Sequence, residues 1–133
     1  MKPKIKGVLL DVEKNTVEKV EFEPTLENYY KMLNCDMIEI ATRKIGVKNG
    51  RVFAIVCDEE GALKEDPKIS AINDIGEAML VGSLLIVGEA DDDGNETSIT
   101  DSDADFIIGK VQDMSTRLYP NPYKMLTQCE YCF

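Results

Sequence analysis

Two stretches of this chain carry residue types that could do chemistry. The first is acidic. Glu89, Asp91, Asp92, Asp93, Glu96, Asp101, Asp103 and Asp105 place eight carboxylates within seventeen residues, with no Lys or Arg among them. Acids at alternate positions followed by a glycine are how a calcium loop presents hard oxygen ligands. Set against an EF-hand loop, Glu89, Asp91 and Asp93 fall at ligand positions 1, 3 and 5, and Gly94 at the turn position 6. The likeness stops at position 12, where a bidentate Glu should complete the shell and Thr100 stands instead. The loop is also entered from a strand pattern, not a helix. Glu89, Asp91 and Asp93 are thus an incomplete calcium set, and Asp91, Asp92, Asp93 and Glu96 read as a solvated anionic tip that a partner could grip.

The second stretch is Cys129-Glu130-Tyr131-Cys132, whose spacing is half of a zinc knuckle. The other half could come only from Cys35 and Cys57, which are far apart in sequence, or from a second chain. A thioredoxin-like role would need the motif at a helix start within a βαβ unit, and here it lies at the C-terminal end. Buried free cysteines are common, which is the simpler reading of Cys57 and Cys35.

The chain contains no histidine. That removes Ser-His-Asp and Cys-His catalysis, His-containing zinc sites and imidazole acid–base work. Gly-x-Gly-x-x-Gly, Walker and Gly-x-Ser-x-Gly patterns are missing, and Gly82-Ser83-Leu84 lacks the glycine a nucleophile elbow needs. Asp11, Asp58, Glu59 and Glu60 could be enlisted as paired carboxylates, but among 25 acids some proximity is guaranteed. No catalytic residue and no cofactor are assigned. A non-enzymatic role leads, and a small metal- or carboxylate-dependent enzyme is the alternative from another class.

Charge narrows the partners. The net charge is −10, so nucleic acid and anionic membrane are repelled by the average surface. A protein partner, basic in character, fits better. A sharper alternative makes the chain an acidic mimic of DNA, but such a mimic spaces its carboxylates like phosphates, whereas here they crowd one loop. No apolar run approaches the length of a membrane span. The start Met1-Lys2-Pro3-Lys4-Ile5-Lys6 lacks the apolar core of a signal peptide, so the expected setting is cytoplasmic.

These residues must be positioned by a scaffold, and its pattern is readable. Residues 4–12 alternate as a strand, with Val8, Leu10 and Val12 on one side and Ile5, Gly7 and Leu9 on the other. Residues 17–22 follow as its hairpin partner, with Val20 and Phe22 inward. Thr25 caps a helix whose apolar face is Leu26, Tyr29, Tyr30 and Leu33. Residues 37–45 and 51–57 form a second strand pair, Ile38 and Ile40 sharing one face. Asn49-Gly50 there suits a type I′ turn. Asp66-Pro67 opens a short helical turn through Ile72. The most apolar run, Leu80 to Glu89, reads as a buried central strand broken at Gly82 by a bulge or change of direction. Thr100 and Asp103 form a capping box for a last helix striped by Ala104, Ile107, Ile108, Val111 and Met114.

The fold class expected is α+β: a single domain with a mixed or antiparallel sheet of about five or six strands and two main helices packed on it. It spans residues 1–114, with 115–133 as a C-terminal extension, wrapped on the domain or taken up by a partner. The order of Thr25-Leu26-Glu27, Cys57-Asp58-Glu59-Glu60-Gly61, Gly82-Ser83-Leu84-Leu85-Ile86-Val87-Gly88 and Thr97-Ser98-Ile99-Thr100-Asp101 resembles the domain-of-unknown-function family 3846 over roughly Val8 to Val111. The resemblance implies small proteins of phages, plasmids and conjugative elements. It implies no activity, and the family domain does not need the tail beyond Met114.

Overall fold

Strand pairing in this protein is almost wholly antiparallel, as the alternating segments require. The computed structural model describes residues 3–64 and 67–132. One sheet has six strands: β1 (Ile5–Asp11), β2 (Thr16–Phe22), β3 (Ile38–Ile45), β4 (Arg51–Asp58), β7 (Leu84–Val87) and β10 (Cys129–Tyr131), in the order β10-β3-β4-β7-β1-β2. A second sheet, which the pattern does not announce, has four: β5 (Ile69–Ile72), β6 (Ala78–Val81), β8 (Val111–Met114) and β9 (Tyr123–Leu126), ordered β6-β5-β9-β8. Among the described residues, only the β5–β9 pair is parallel. Among the described residues the α-helices are α1 (Leu26–Leu33) and α2 (Asp101–Gly109). The fold is α+β with two main helices, as expected; in place of the one expected sheet of about five or six strands there is a six-stranded sheet and a second, four-stranded one.

The six-stranded sheet is covered on both faces, which is why β4 and β7 are continuously apolar. On one face Val8, Leu10, Ile45, Phe53, Ile55, Leu84 and Ile86 pack against Ala71, Leu80 and Leu126 of the second sheet and Ala104 and Ile107 of α2. On the other, Ile5, Leu9, Phe22, Ala54, Val56, Leu85 and Val87 receive Tyr29 and Leu33 of α1. Alternation in β1 thus sorts its residues between two cores rather than between core and water.

Both helix starts form as the sequence indicates. Thr25 Oγ1 accepts from the Asn28 amide at 3.2 Å. Thr100 Oγ1 accepts from the Asp103 amide at 3.0 Å, while Asp103 Oδ2 accepts from the Thr100 amide at 3.5 Å, a complete capping box. Thr100→Ala is expected to lower stability by about 1 kcal/mol and Thr100→Ser by far less. Urea unfolding would read this, and equal loss in both variants would show that the hydroxyl is not the cap.

Several expectations need correction. The Leu80–Glu89 run is two strands, β6 and β7, in different sheets. Gly82, at φ 84°, turns the chain from one sheet to the other. Residues 69–72 are strand β5 and not a helical turn, because Ser70, Ala71 and Ile72 are buried between sheet neighbours. Asp66, expected as that turn's cap, lies outside the described residues. The helical stripe stops at Ile108, since Val111 and Met114 belong to β8, paired with β9. The β3–β4 connection is a five-residue loop, 46–50, with positive φ at Gly46 and Asn49 and none at Gly50, so it is not a two-residue type I′ turn. Leu26 and Ile40 are exposed. Residues 115–132 supply β9 and β10, one to each sheet. Thr127–Gln128, with Gln128 at φ 56°, makes the crossing between them.

Candidate functional site

The acidic tip is built by its own backbone. Gly88 and Thr97 bridge antiparallel across its base, with the Gly88 amide donating to Thr97 O at 2.8 Å. Asp91 Oδ1 accepts from the amides of Asp93 at 2.9 Å and Asn95 at 3.1 Å. The Asp91 amide donates to Asn95 O at 2.9 Å and the Gly94 amide to Asp91 O at 3.0 Å. Gly94 adopts φ 80°, which glycine accepts without strain. Asp91 is therefore an internal acceptor that shapes the turn. Glu96 is a second anchor: Tyr29 Oη donates to Glu96 Oε1 at 2.7 Å, tying the tip to α1. Burial, and then this carboxylate, push the Tyr29 phenol above its ordinary range.

Glu89, Asp92 and Asp93 are exposed at the tip, and so is Asp91. Among the described residues, no group of three or more His, Cys, Asp or Glu side chains is placed to hold a metal ion. The structure thus does not draw Glu89, Asp91 and Asp93 into one such group. The acids of α2 have partners of their own. Asp103 Oδ1 meets Arg51 at 2.9 Å, Asp105 meets Lys19 at 2.9 Å and Asp101 lies 4.0 Å from Lys6. Beside the tip is a shallow, mainly apolar hollow of about 300 Å³, floored by Pro3, Ile5 and Pro24 and rimmed by Asp91, Asn95 and Glu96.

The cysteines are dispersed. Cys129 is buried at the start of β10, and Cys132 is exposed beyond its end. Cys57 sits in the same core as Cys129, while Cys35 packs half-buried against the core under α1. All four are free thiols. Burial pushes the Cys57 and Cys129 thiols up to about 12, with Glu39 adding to the shift at Cys57. Burial also raises Cys35. A thiol held protonated is a poor nucleophile and a poor metal ligand.

A third place escaped the reading of the sequence. A cleft of about 420 Å³ opens where the end of β4, the Gly82-Ser83 crossing, the lead into β5 and Tyr119 come together. Asp58, its side chain 7% exposed, organises one wall. Its Oδ2 meets Lys64 Nζ at 2.7 Å, and its Oδ1 accepts from the Glu60 amide at 2.9 Å. Lys64 also donates to Asn34 O at 3.3 Å. Its pKa is raised, chiefly by the Asp58 hydrogen bond. Gly61 lies so close to the end of β6 that a Cβ there would stand 3.0 Å from Val81 O. Ser83 Oγ accepts from the Val12 amide at 3.1 Å, so its hydroxyl oxygen is already engaged. Lys68 Nζ lies 5.3 Å from the Tyr119 ring centre and 5.6 Å from that of Tyr123. One signal could have found this cleft: Asp58–Gly61 and Gly82–Ser83, two of the segments that carry the resemblance, meet in it.

A family model described as Domain of unknown function (DUF3846) matches residues 5–114. No curated protein and no solved structure matches the chain. Among the described residues, no helix is long and apolar enough to cross a membrane.

Proposed function

This chain belongs to the DUF3846 family, and from that premise we propose that it is a non-enzymatic accessory protein that works by gripping a basic protein partner. The observation that carries this reading is the acidic tip. Its shape is fixed by Asp91 and by the Tyr29–Glu96 hydrogen bond, it presents Glu89, Asp92 and Asp93 outward, and an apolar hollow lies beside it. An ordered anionic loop next to an apolar hollow suits a partner segment with an apolar anchor flanked by Lys or Arg, since charge steers the encounter and apolar burial holds it. A cytoplasmic setting and a mobile-element host are parts of this proposal, taken from the sequence and the resemblance.

Two further observations favour binding over catalysis. The Ser83 oxygen is committed to the Val12 amide, and the buried thiols are held protonated. The acids of α2 face Lys6, Lys19 and Arg51, which supports a local tip over an extended phosphate-like array.

The test is affinity capture from the host cell at low salt, repeated with the double variant Asp92→Lys/Asp93→Lys. A basic protein should be retained by the parent chain, released as salt shortens the Debye length to about 4 Å, and missed by the variant. Retention of the same protein by both chains would move the contact away from the tip and end this reading.

A further inference from the structure

We infer that the cleft between the two sheets is a binding site for a small, singly charged carboxylate with an apolar or aromatic body. The inference is independent of the protein-partner reading, because it concerns another surface. The volume, about 420 Å³, lies in the range of small-molecule sites. The walls are mixed in the way such sites require. Val12, Leu33, Pro67 and the Tyr119 ring offer apolar area, and a few charged groups converge on it.

The two lysines differ. Lys64 is committed to Asp58 and to the Asn34 carbonyl. Lys68 forms no ion pair with any described residue, and its ammonium is held over the rings of Tyr119 and Tyr123. Both ends of that arrangement are fixed. The Lys68 carbonyl accepts from the Gly82 amide at 2.8 Å, and Tyr123 Oη donates to Ile69 O at 2.6 Å. Ring faces hold a cation without neutralising it, so Lys68 remains able to pair with an anion. The sign and number of charges set the ligand class. Among the described lining residues, Glu13 and Asp58 balance Lys64 and Lys68. A monoanion reaching Lys68 gains an ion pair, whereas a polyanion would face Glu13 and Asp58 with no second uncommitted cation.

Titration of the ¹⁵N-labelled full chain with indole-3-acetate, followed by amide chemical shifts, tests this. Saturable shifts should centre on Gly61, Gly82 and Ser83. The uncharged analogue indole-3-acetamide should bind about tenfold more weakly, the value of one charge-assisted contact. Lys68→Gln should erase that difference, Lys68→Arg should keep it, and the variants' own spectra report whether they fold. Any of three results would overturn the inference: no saturable shift at these amides, equal binding of acid and amide by the parent chain, or stronger binding of inorganic phosphate than of the carboxylate at the same amides.

Discussion

A chain ending at Met114 is expected to lose its cooperative unfolding transition. Beyond that residue lie Tyr123, Met125, Leu126 and Cys129, at 5%, 2%, 0% and 0% exposure. Burial of large apolar side chains contributes roughly 1.5–3 kcal/mol each, and a whole domain has only about 5–15 kcal/mol of stability. The loss reaches further than those side chains. β8 pairs with β9 at four positions and would have no partner, β5 would lose its parallel neighbour, and β3 would lose β10 from its edge. The β5–β6 pair would be left as a two-stranded hairpin held only by its packing on the six-stranded sheet. A milder form of the same test is Leu126→Ala, expected to cost about 3 kcal/mol because the site joins both sheets and cannot collapse freely. Thermal and urea unfolding followed by circular dichroism measure both. A sharp transition in the chain 1–114, with an unchanged midpoint, would show that 115–133 is an accessory to the fold.

This dependence on distant strands explains what could and could not be read from the sequence. Thr25, Thr100 and Asp103 were legible because a cap is a contact within three residues. The β1–β2 and β3–β4 pairs were legible because each is local and turn-bounded. The second sheet was not. All four of its strands are four-residue segments, and three of them are flanked by apolar or helical patterns, where the period cannot separate strand from helix. Val111 continues the stripe of α2 in register, and only the pairing with Leu126 makes it a strand. Prolines at 120 and 122 mark a break, and they hid that regular structure resumes one residue later at Tyr123. Of the site, the acids of the tip were plain, but their division of labour was not. Asp91 and Asp93 look alike in sequence and both face water, yet Asp91 also caps the turn. The cleft had no linear signature because Asp58, Ser83, Lys68 and Tyr119 meet only when both sheets are in place.

Alkaline conditions should steadily destabilise this protein, and the buried thiols are a main reason. Cys57 and Cys129 are held at about 12 by burial. At Cys57 the Glu39 carboxylate reinforces the shift, and at Cys129 Arg43 partly opposes it. A thiol in the unfolded chain ionises near its ordinary value of 9.0. A raised folded value means the native state keeps a proton that the unfolded state releases. The thiol contribution is therefore complete below about pH 9 and is lost between there and about pH 12, at up to ~1.4 kcal/mol per pH unit for each thiol. Two thiols over two pH units remove on the order of 5 kcal/mol, comparable with the stability of a small domain. Tyr29, also raised, adds to the loss only above about pH 10. Urea midpoints under reducing conditions should fall steadily from about pH 9 to pH 11, with the steepest loss in that interval. The double variant Cys57→Ala/Cys129→Ala should start less stable at neutral pH, from lost packing, yet show a much flatter profile over the same range. Alkylation supplies the independent check. Exposed Cys132 should react promptly with iodoacetamide, whereas Cys57 and Cys129 should react only as fast as the chain opens. Equal alkylation of Cys132 and Cys129 in the native protein, or a stability that stays flat to pH 11, would mean that these two thiols are not sequestered by the fold.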